Sequence, residues 1–229
     1  MKRGIVAASD LTQEWILPWW WDNYRKHNSY PVAFVDLGMS FEMKAWCKKR
    51  GELIPLRVVD FASGKEEIDP PLAKQWKEDH GTFFWDYRNA WFKKPLACLK
   101  SPFQKTIWID IDCEIRGALQ PLFKYEGLAM AKDWNNASKE VYNSGVIVFD
   151  QGSLPLIQEW ADGCFKDHAS FPGDQDILSD IIAKKGVRIG QIPDEYNWSR
   201  CREVNPDAII NHWHGPIGKF IIRHLRWRA

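Results

Sequence analysis

The sequence predicts one α/β domain built on a mostly parallel central sheet flanked by helices. Three observations lead there. Strand, helix, strand, helix and strand patterns follow one another within the first 60 residues, the signature of a parallel sheet with crossover helices. An apolar β-rich run, Thr106 to Ile115, lies near the middle of the chain. No segment is rich enough in Pro, Gly or Ser to divide it, and 229 residues at 45% hydrophobic suffice for one well-buried core. The domain is expected over 1–218, with 219–229 as a basic amphipathic tail.

The elements follow in order. Gly4 to Ala8 reads as a short buried strand that ends at Ser9-Asp10. Leu11 to Asn28 is helical in pattern, with Pro18 kinking it or starting a new helix. Pro31 to Asp36 is a second strand, Ser40 to Arg50 a helix capped by Ser40 and stopped by Gly51, and Leu53 to Val59 a third strand. Ala62 to Gly81 is polar and reads as loop with one short helix. Arg88 to Lys100 is a helix interrupted at Pro95, and the acidic strand Thr106 to Ile115 follows. Leu128 to Lys132 is a short strand, and Val141 to Asp150 a small-residue turn feeding a buried one. Leu154 to Phe165 and Asp174 to Lys185 are helices, the second with Ile177, Leu178, Ile181 and Ile182 on one face. Val187 to Ile192 and Ala208 to Asn211 close the list of strands, with loop at Tyr196 to Asn205.

A net charge of +1 gives no bulk attraction for nucleic acid. The odd count of five cysteines contains no CxxC pair, which points to free thiols in a reducing compartment, hence the cytoplasm. The apolar run after the basic start is too short for a secretory signal, and no run approaches eighteen apolar residues. Most of the 14 tryptophans are expected in the core.

Asp110 and Asp112 carry the first chemical signal. On a continuous strand, side chains two apart share one face, roughly 7 Å apart. Carboxylates on an apolar strand are costly to bury without a partner. A divalent cation with a phosphate-bearing substrate behind it is the natural one; the plainer reading is a strand that ends in acidic residues near solvent.

Later segments add to this in order. Asp110-Ile111-Asp112 is a DxD, Asn143-Ser144-Gly145 an NSG turn, Asp174-Gln175-Asp176 a DQD, Ile192 to Asn197 the segment IPDEYN, and His212 to Gly215 an HxxG, while Lys94 lies 16 residues before Asp110. Taken together they resemble family 8-type glycosyltransferases of the GT-A fold, the group that includes glycogenin and bacterial lipopolysaccharide galactosyl- and glucosyltransferases. The likeness runs from Gly4 to Lys219. One departure is plain: the family's closing motif carries a lysine six residues after the histidine, where this chain has Gly218, with Lys219 one position later.

The resemblance implies a retaining hexosyltransfer from a nucleotide-diphospho-sugar, a UDP-sugar, to a glycan, lipid-linked or protein acceptor. It implies Mn2+ or Mg2+ held by Asp110, Asp112 and His212; carboxylates suit either ion and an imidazole favours Mn2+. Lys94 and Lys219 would face the diphosphate, Asn143, Ser144 and Gly215 would line the donor site, and Asp174 and Gln175 would stand nearest the reacting carbon. Ser9 and Asp10 would touch base or ribose. Blander roles stand beside these: Asp10 and Asp174 as helix caps, Lys94 as an exposed helix lysine. In the tail, Ile221, Ile222 and Leu225 recur at helical spacing among Lys219, Arg223, Arg226 and Arg228, which suits peripheral contact with an anionic membrane or packing on the domain. Two other functions fit parts of the pattern: a GT-A domain that binds nucleotide-sugar without turnover, and a DxD-type Mg2+-dependent phosphatase.

Overall fold

The computed structural model describes residues 2–58, 60–62, 67–81, 84–133 and 141–226. Val59, residues 63–66 of the polar stretch and residues 227–229 of the tail lie outside them. The central sheet has seven strands in the order β3-β2-β1-β4-β7-β6-β8. They are β1 (Arg3–Ser9), β2 (Val32–Asp36), β3 (Glu52–Pro55), β4 (Lys105–Ile109), β6 (Ala129–Lys132), β7 (Tyr142–Asp150) and β8 (Gly190–Gln191). The β3/β2, β2/β1, β1/β4 and β6/β8 pairs are parallel, and β7 runs antiparallel to both neighbours. A second, three-stranded sheet joins β5 (Cys113–Ile115), β10 (Ile210–His212) and β9 (Trp198–Ser199) in the order β5-β10-β9.

Alternation along the strands fills both faces of the large sheet. Ile5, Ala7, Phe34, Ile107 and Ile109 face one core with helix α1 (Leu17–His27). Val6, Ala33, Val35, Trp108, Ile147 and Phe149 face the other, with α5 (Lys94–Cys98), α6 (Leu154–Asp167) and α7 (Asp174–Lys185). No described tryptophan is exposed.

The helix starts obey local chemistry. Pro18 lies in the first turn of α1, after a 310 turn at Glu14–Ile16, so the proline starts a helix rather than kinking one. Ser40 Oγ accepts from Met43 N at 3.1 Å and caps α2 (Phe41–Lys48). The polar stretch holds a full helix, α3 (Pro70–His80), because Asp69 caps it and Pro70 and Pro71 fill its first turn, where no N–H is needed. The expected Arg88–Lys100 helix is two helices, α4 (Phe84–Phe92) and α5, divided just before Pro95.

Two further expectations differ from the structure. The acidic run is not one strand: β4 stops at Ile109, and Asp110, Ile111 and Asp112 turn into β5. The C-terminal helix α8 (Gly215–Arg226) begins four residues before Lys219, and Ile222 is fully buried in the core with Leu225 packed beside it. Ile217 and Phe220 are exposed on this helix. Among the described residues no helix is long and apolar enough to cross a membrane.

Candidate functional site

Strands β1, β2 and β3 proceed in one direction across the sheet, and the next strand, β4, is laid on the other side of β1. At such a reversal the loops after the two central strands diverge and leave a crevice. Ser9 ends β1 and Asp110 follows β4, so both loops open there. Two adjoining cavities, of about 90 and 390 Å3, share Tyr87, Trp91, Lys94, Asp110, Asp112 and Lys219.

The turn after β4 is closed by Cys113 N donating to Asp110 O at 3.0 Å. It presents the two carboxylates that a continuous strand would have kept farther into the sheet. Asp110 Oδ1 accepts from Trp108 Nε1 at 2.8 Å. Antiparallel pairing of β5 with β10 sets His212 opposite Cys113, and so next to Asp112. Its Nε2 lies 3.4 Å from Asp112 Oδ1 and 3.8 Å from Asp110 Oδ2. Its Nδ1 lies 2.9 Å from Asn197 Oδ1. The ring rests against Gly145, where a Cβ would come within 2.2 Å of it; the NSG glycine is there for closeness.

Ligands of one small octahedral cation sit about 3 Å apart, from metal–oxygen bonds of about 2.1 Å. His212 Nε2 stands at nearly that spacing from one oxygen of Asp112 and one of Asp110, and hard oxygens with one imidazole are a donor set that fits a divalent ion. The three ligand atoms that all lie within 4.8 Å of one another, however, belong to Asp112, His212 and Cys113. Burial, with Asp112 and Asp110 adding to it, pushes that thiol well up. It donates weakly to Gly145 O at 4.0 Å.

Two lysines complete this end. Lys94, at the start of α5, is 5% exposed, which corrects the reading of it as an exposed helix lysine. Its Nζ lies 3.0 Å from Asp110 Oδ2, 2.8 Å from Ser144 Oγ and 3.7 Å from Asp174 Oδ2. Burial alone would lower this ammonium, but Asp110 and Asp174 outweigh it and hold it above the ordinary lysine range. Lys219 Nζ lies 3.1 Å from Asp112 Oδ2 and 4.8 Å from the centre of the Tyr87 ring. The one-residue departure is absorbed in α8. Gly218 packs so tightly on Trp213 that a Cβ would overlap its carbonyl oxygen, and the following residue reaches the site. Burial would raise the Asp112 carboxyl; Lys219 and His212 together hold it well below the usual carboxylate range.

The other end of the cleft opens at the start of α7. Asp174 is buried, and its Oδ2 accepts from Ser144 Oγ at 2.8 Å. It is the first residue of the helix, and Gly173 holds the capping position, so the plain capping role does not apply. Gln175 Nε2 donates to Asp133 Oδ2 at 2.7 Å. Burial raises the Asp174 carboxyl, offset only in part by Lys94. Asp176 is pushed up to about 6 by burial, Asp174 and Asp133. Asn143 lines the larger cavity, but its Oδ1 is engaged by Gly145 N at 2.9 Å and Asn197 Nδ2 at 2.8 Å. Gly215 opens α8 at the rim of that cavity.

Of the pair at the end of β1, Ser9 lines the smaller cavity with Thr12 and Gln13. Asp10 does not line either cavity. Its Oδ1 accepts from Thr12 N, Thr12 Oγ1 and Gln13 N at 2.9, 2.7 and 3.0 Å, holding its own loop together. Sequence reasoning missed Tyr87, Trp91, Arg200 and Cys201 in the cleft wall and Asn197 behind His212. For Asn197 a signal existed, since it ends the IPDEYN segment. The other four carry none that spacing reveals.

No family profile and no curated protein matches the chain. Solved structures do. The glycosyltransferase GlyE of Streptococcus pneumoniae TIGR4 matches at 20% identity and TM-score 0.64, over 94% of this chain and 56% of that one. The galactosyltransferase LgtC, solved in complex with donor and acceptor sugar analogs, matches at 16% identity and TM-score 0.64, over 98% and 94%. Mouse xyloside xylosyltransferase 1 matches at 14% identity and TM-score 0.57, over 93% and 97%. The chain thus spans little more than half the length of GlyE. These structures are glycosyltransferases, and the fold shared with them is the GT-A fold expected from the motifs.

Proposed function

We propose that the protein is a metal-dependent, retaining glycosyltransferase that moves a hexosyl unit from a UDP-sugar to a glycan, lipid-linked or protein hydroxyl. One observation carries this reading. Asp110, Asp112 and His212 converge beside two lysines at the sheet's switch-point crevice, with a larger polar cavity adjoining. Asp110, Asp112 and His212 would hold Mn2+ or Mg2+. When bound, that ion supplies Lewis-acid stabilisation of charge on the leaving diphosphate.

The protein's own groups account for the remaining work. Lys94 and Lys219 present compact positive charge to diphosphate oxygens. Ser9, Thr12 and Gln13 offer short polar contacts to ribose or base from the smaller cavity. Ser144 and Gln175 orient sugar hydroxyls, and Asp174 stands beside them as the carboxylate nearest the reacting carbon. Tyr87 and Trp91 form the apolar wall that keeps water from the transfer.

The test is a donor screen. Purified protein with Mn2+ is incubated with UDP-glucose, UDP-galactose, their N-acetyl forms and GDP-mannose, and released nucleotide is measured. Release from one donor, abolished by chelation and in Asp112→Ala, is the expected result. Metal-dependent UDP binding without release from any donor would mean that the acceptor is needed for turnover. Absence of both would overturn the reading.

A further inference from the structure

Hydrogen bonds around His212 fix more than its position, because two of the groups involved belong to the backbone and have only one possible role. Gly145 N–H can only donate, and it points at the Asn143 side chain at 2.9 Å, so that side chain presents its oxygen there. Asn143 O can only accept, and it lies 3.3 Å from one end of the Asn197 carboxamide. The Asn143 side-chain oxygen lies 2.8 Å from the same end. Two acceptors against one end of an amide require that end to be the NH2. The oxygen of Asn197 therefore faces His212 Nδ1 at 2.9 Å, and Nδ1 must carry the hydrogen. In the neutral ring, Nε2 is then left with its lone pair on the side of Asp112 and Asp110. His212 and Asn197 are 5% and 8% exposed, so water competes little for these bonds.

We propose that Asn197 is the positioning residue of the site: its carboxamide locks His212 as the Nδ1–H tautomer and keeps Nε2 free to ligate a divalent cation. A ligating histidine commonly donates its other N–H to a fixed acceptor, which sets ring orientation and basicity. The ligand half of the proposal rests on the function proposed above; the tautomer half does not.

The test reads ring nitrogens rather than turnover. Long-range 1H–15N correlation spectra of 15N-labelled protein at alkaline pH, with His212 assigned through His212→Gln, are expected to show protonated Nδ1 and bare Nε2. Asn197→Leu removes the acceptor at similar volume. It should shift His212 toward the Nε2–H form and weaken Mn2+ binding, followed by EPR without nucleotide, by roughly 10- to 100-fold. Asn197→Asp keeps an acceptor and should keep the Nδ1–H signature, which decides the matter if the leucine variant does not fold. An Nε2–H signature in the wild type, or an unchanged tautomer in Asn197→Leu, would overturn the proposal. A wild type that shows Nδ1–H yet binds no Mn2+ would overturn the ligand half and the metal reading with it, the tautomer lock standing.

Discussion

The two ends of the cleft treat the same side chain in opposite ways. At the switch-point end, Asp112 sits between Lys219 and His212, which together outweigh burial and hold its carboxyl well below the usual range. At the α7 end, burial and a nearby carboxylate raise both Asp174 and Asp176, the neighbour being Asp110 for the first and Asp174 for the second. Lys94 touches both ends, 3.0 Å from Asp110 and 3.7 Å from Asp174. A carboxylate's duty here follows from its neighbours. The charged end suits a cation and a diphosphate, and the raised end suits neutral sugar hydroxyls.

That contrast can be broken in order of size. The largest effect is expected from Asp112→Asn, which should weaken Mn2+-dependent UDP binding by roughly 100-fold or more as one of two carboxylate ligands is lost. Calorimetry with and without Mn2+ reads it, and an equal loss without the ion would show that Asp112 acts on the fold rather than on the metal.

Next comes Lys94→Met, which strips a buried cation from Asp110 and Asp174 at once. Breaking such a pairing costs about 3–5 kcal/mol, a fall of roughly 10 °C in Tm for a domain of this size. A melt within about 2 °C of wild type would show that the two ends are not joined through this lysine.

Asp176 gives a pH-dependent effect of opposite sign. Its folded value, about 6, lies above the ordinary 3.8, so the folded protein holds its proton more tightly than the unfolded chain does. There is no penalty at pH below the unfolded value. Stability then falls as pH rises through the window from about 4 to about 6, and the cost above it is on the order of 3 kcal/mol. Asp176→Asn should therefore raise Tm near pH 7.5 by several degrees and leave it unchanged near pH 3.5. A gain that does not vary with pH would refute the assignment.

The smallest effect is expected at Asp10. Asp10→Ala removes the acceptor of three short bonds and should cost about 1 kcal/mol, which Asp10→Asn should restore. UDP binding lost in Asp10→Asn at unchanged Tm would return Asp10 to the ligand-facing role expected from its place after β1.

Much of this was legible in the sequence, and the reasons it stopped where it did are physical. The order of the first three strands, the Ser40 cap and the start of α7 are local, written in periodicity and capping chemistry. The end of β4 was not, because Cys113 and Ile115 continue the apolar pattern of Ile107 and Ile109, and what turns the chain is Cys113 N bonding back to Asp110 O. Helix α3 was underread because Pro70-Pro71 looks like a breaker until Asp69 is seen to cap it. Among the site residues, the DxD, HxxG and DQD segments were visible as spacing. Arg200 and the partner of His212 depend on β5, β9 and β10 meeting, and Tyr87 on α4 lying against Lys219 of α8, which are non-local facts. Lys219 stood one residue out of register, and only the packing of Gly218 on Trp213 explains how it arrives.

Among the five cysteines, Cys47, Cys98, Cys113 and Cys164 are buried, while Cys201 is exposed at the rim of the larger cavity. The protein therefore carries its own single attachment point for a thiol-directed dye, beside Arg200 in the wall of the cavity that the start of α7 also lines. A fluorophore there, installed under native conditions without first removing other thiols, would turn occupancy of the cleft into an optical signal. Candidate sugars could then be ranked by titration before any acceptor is known.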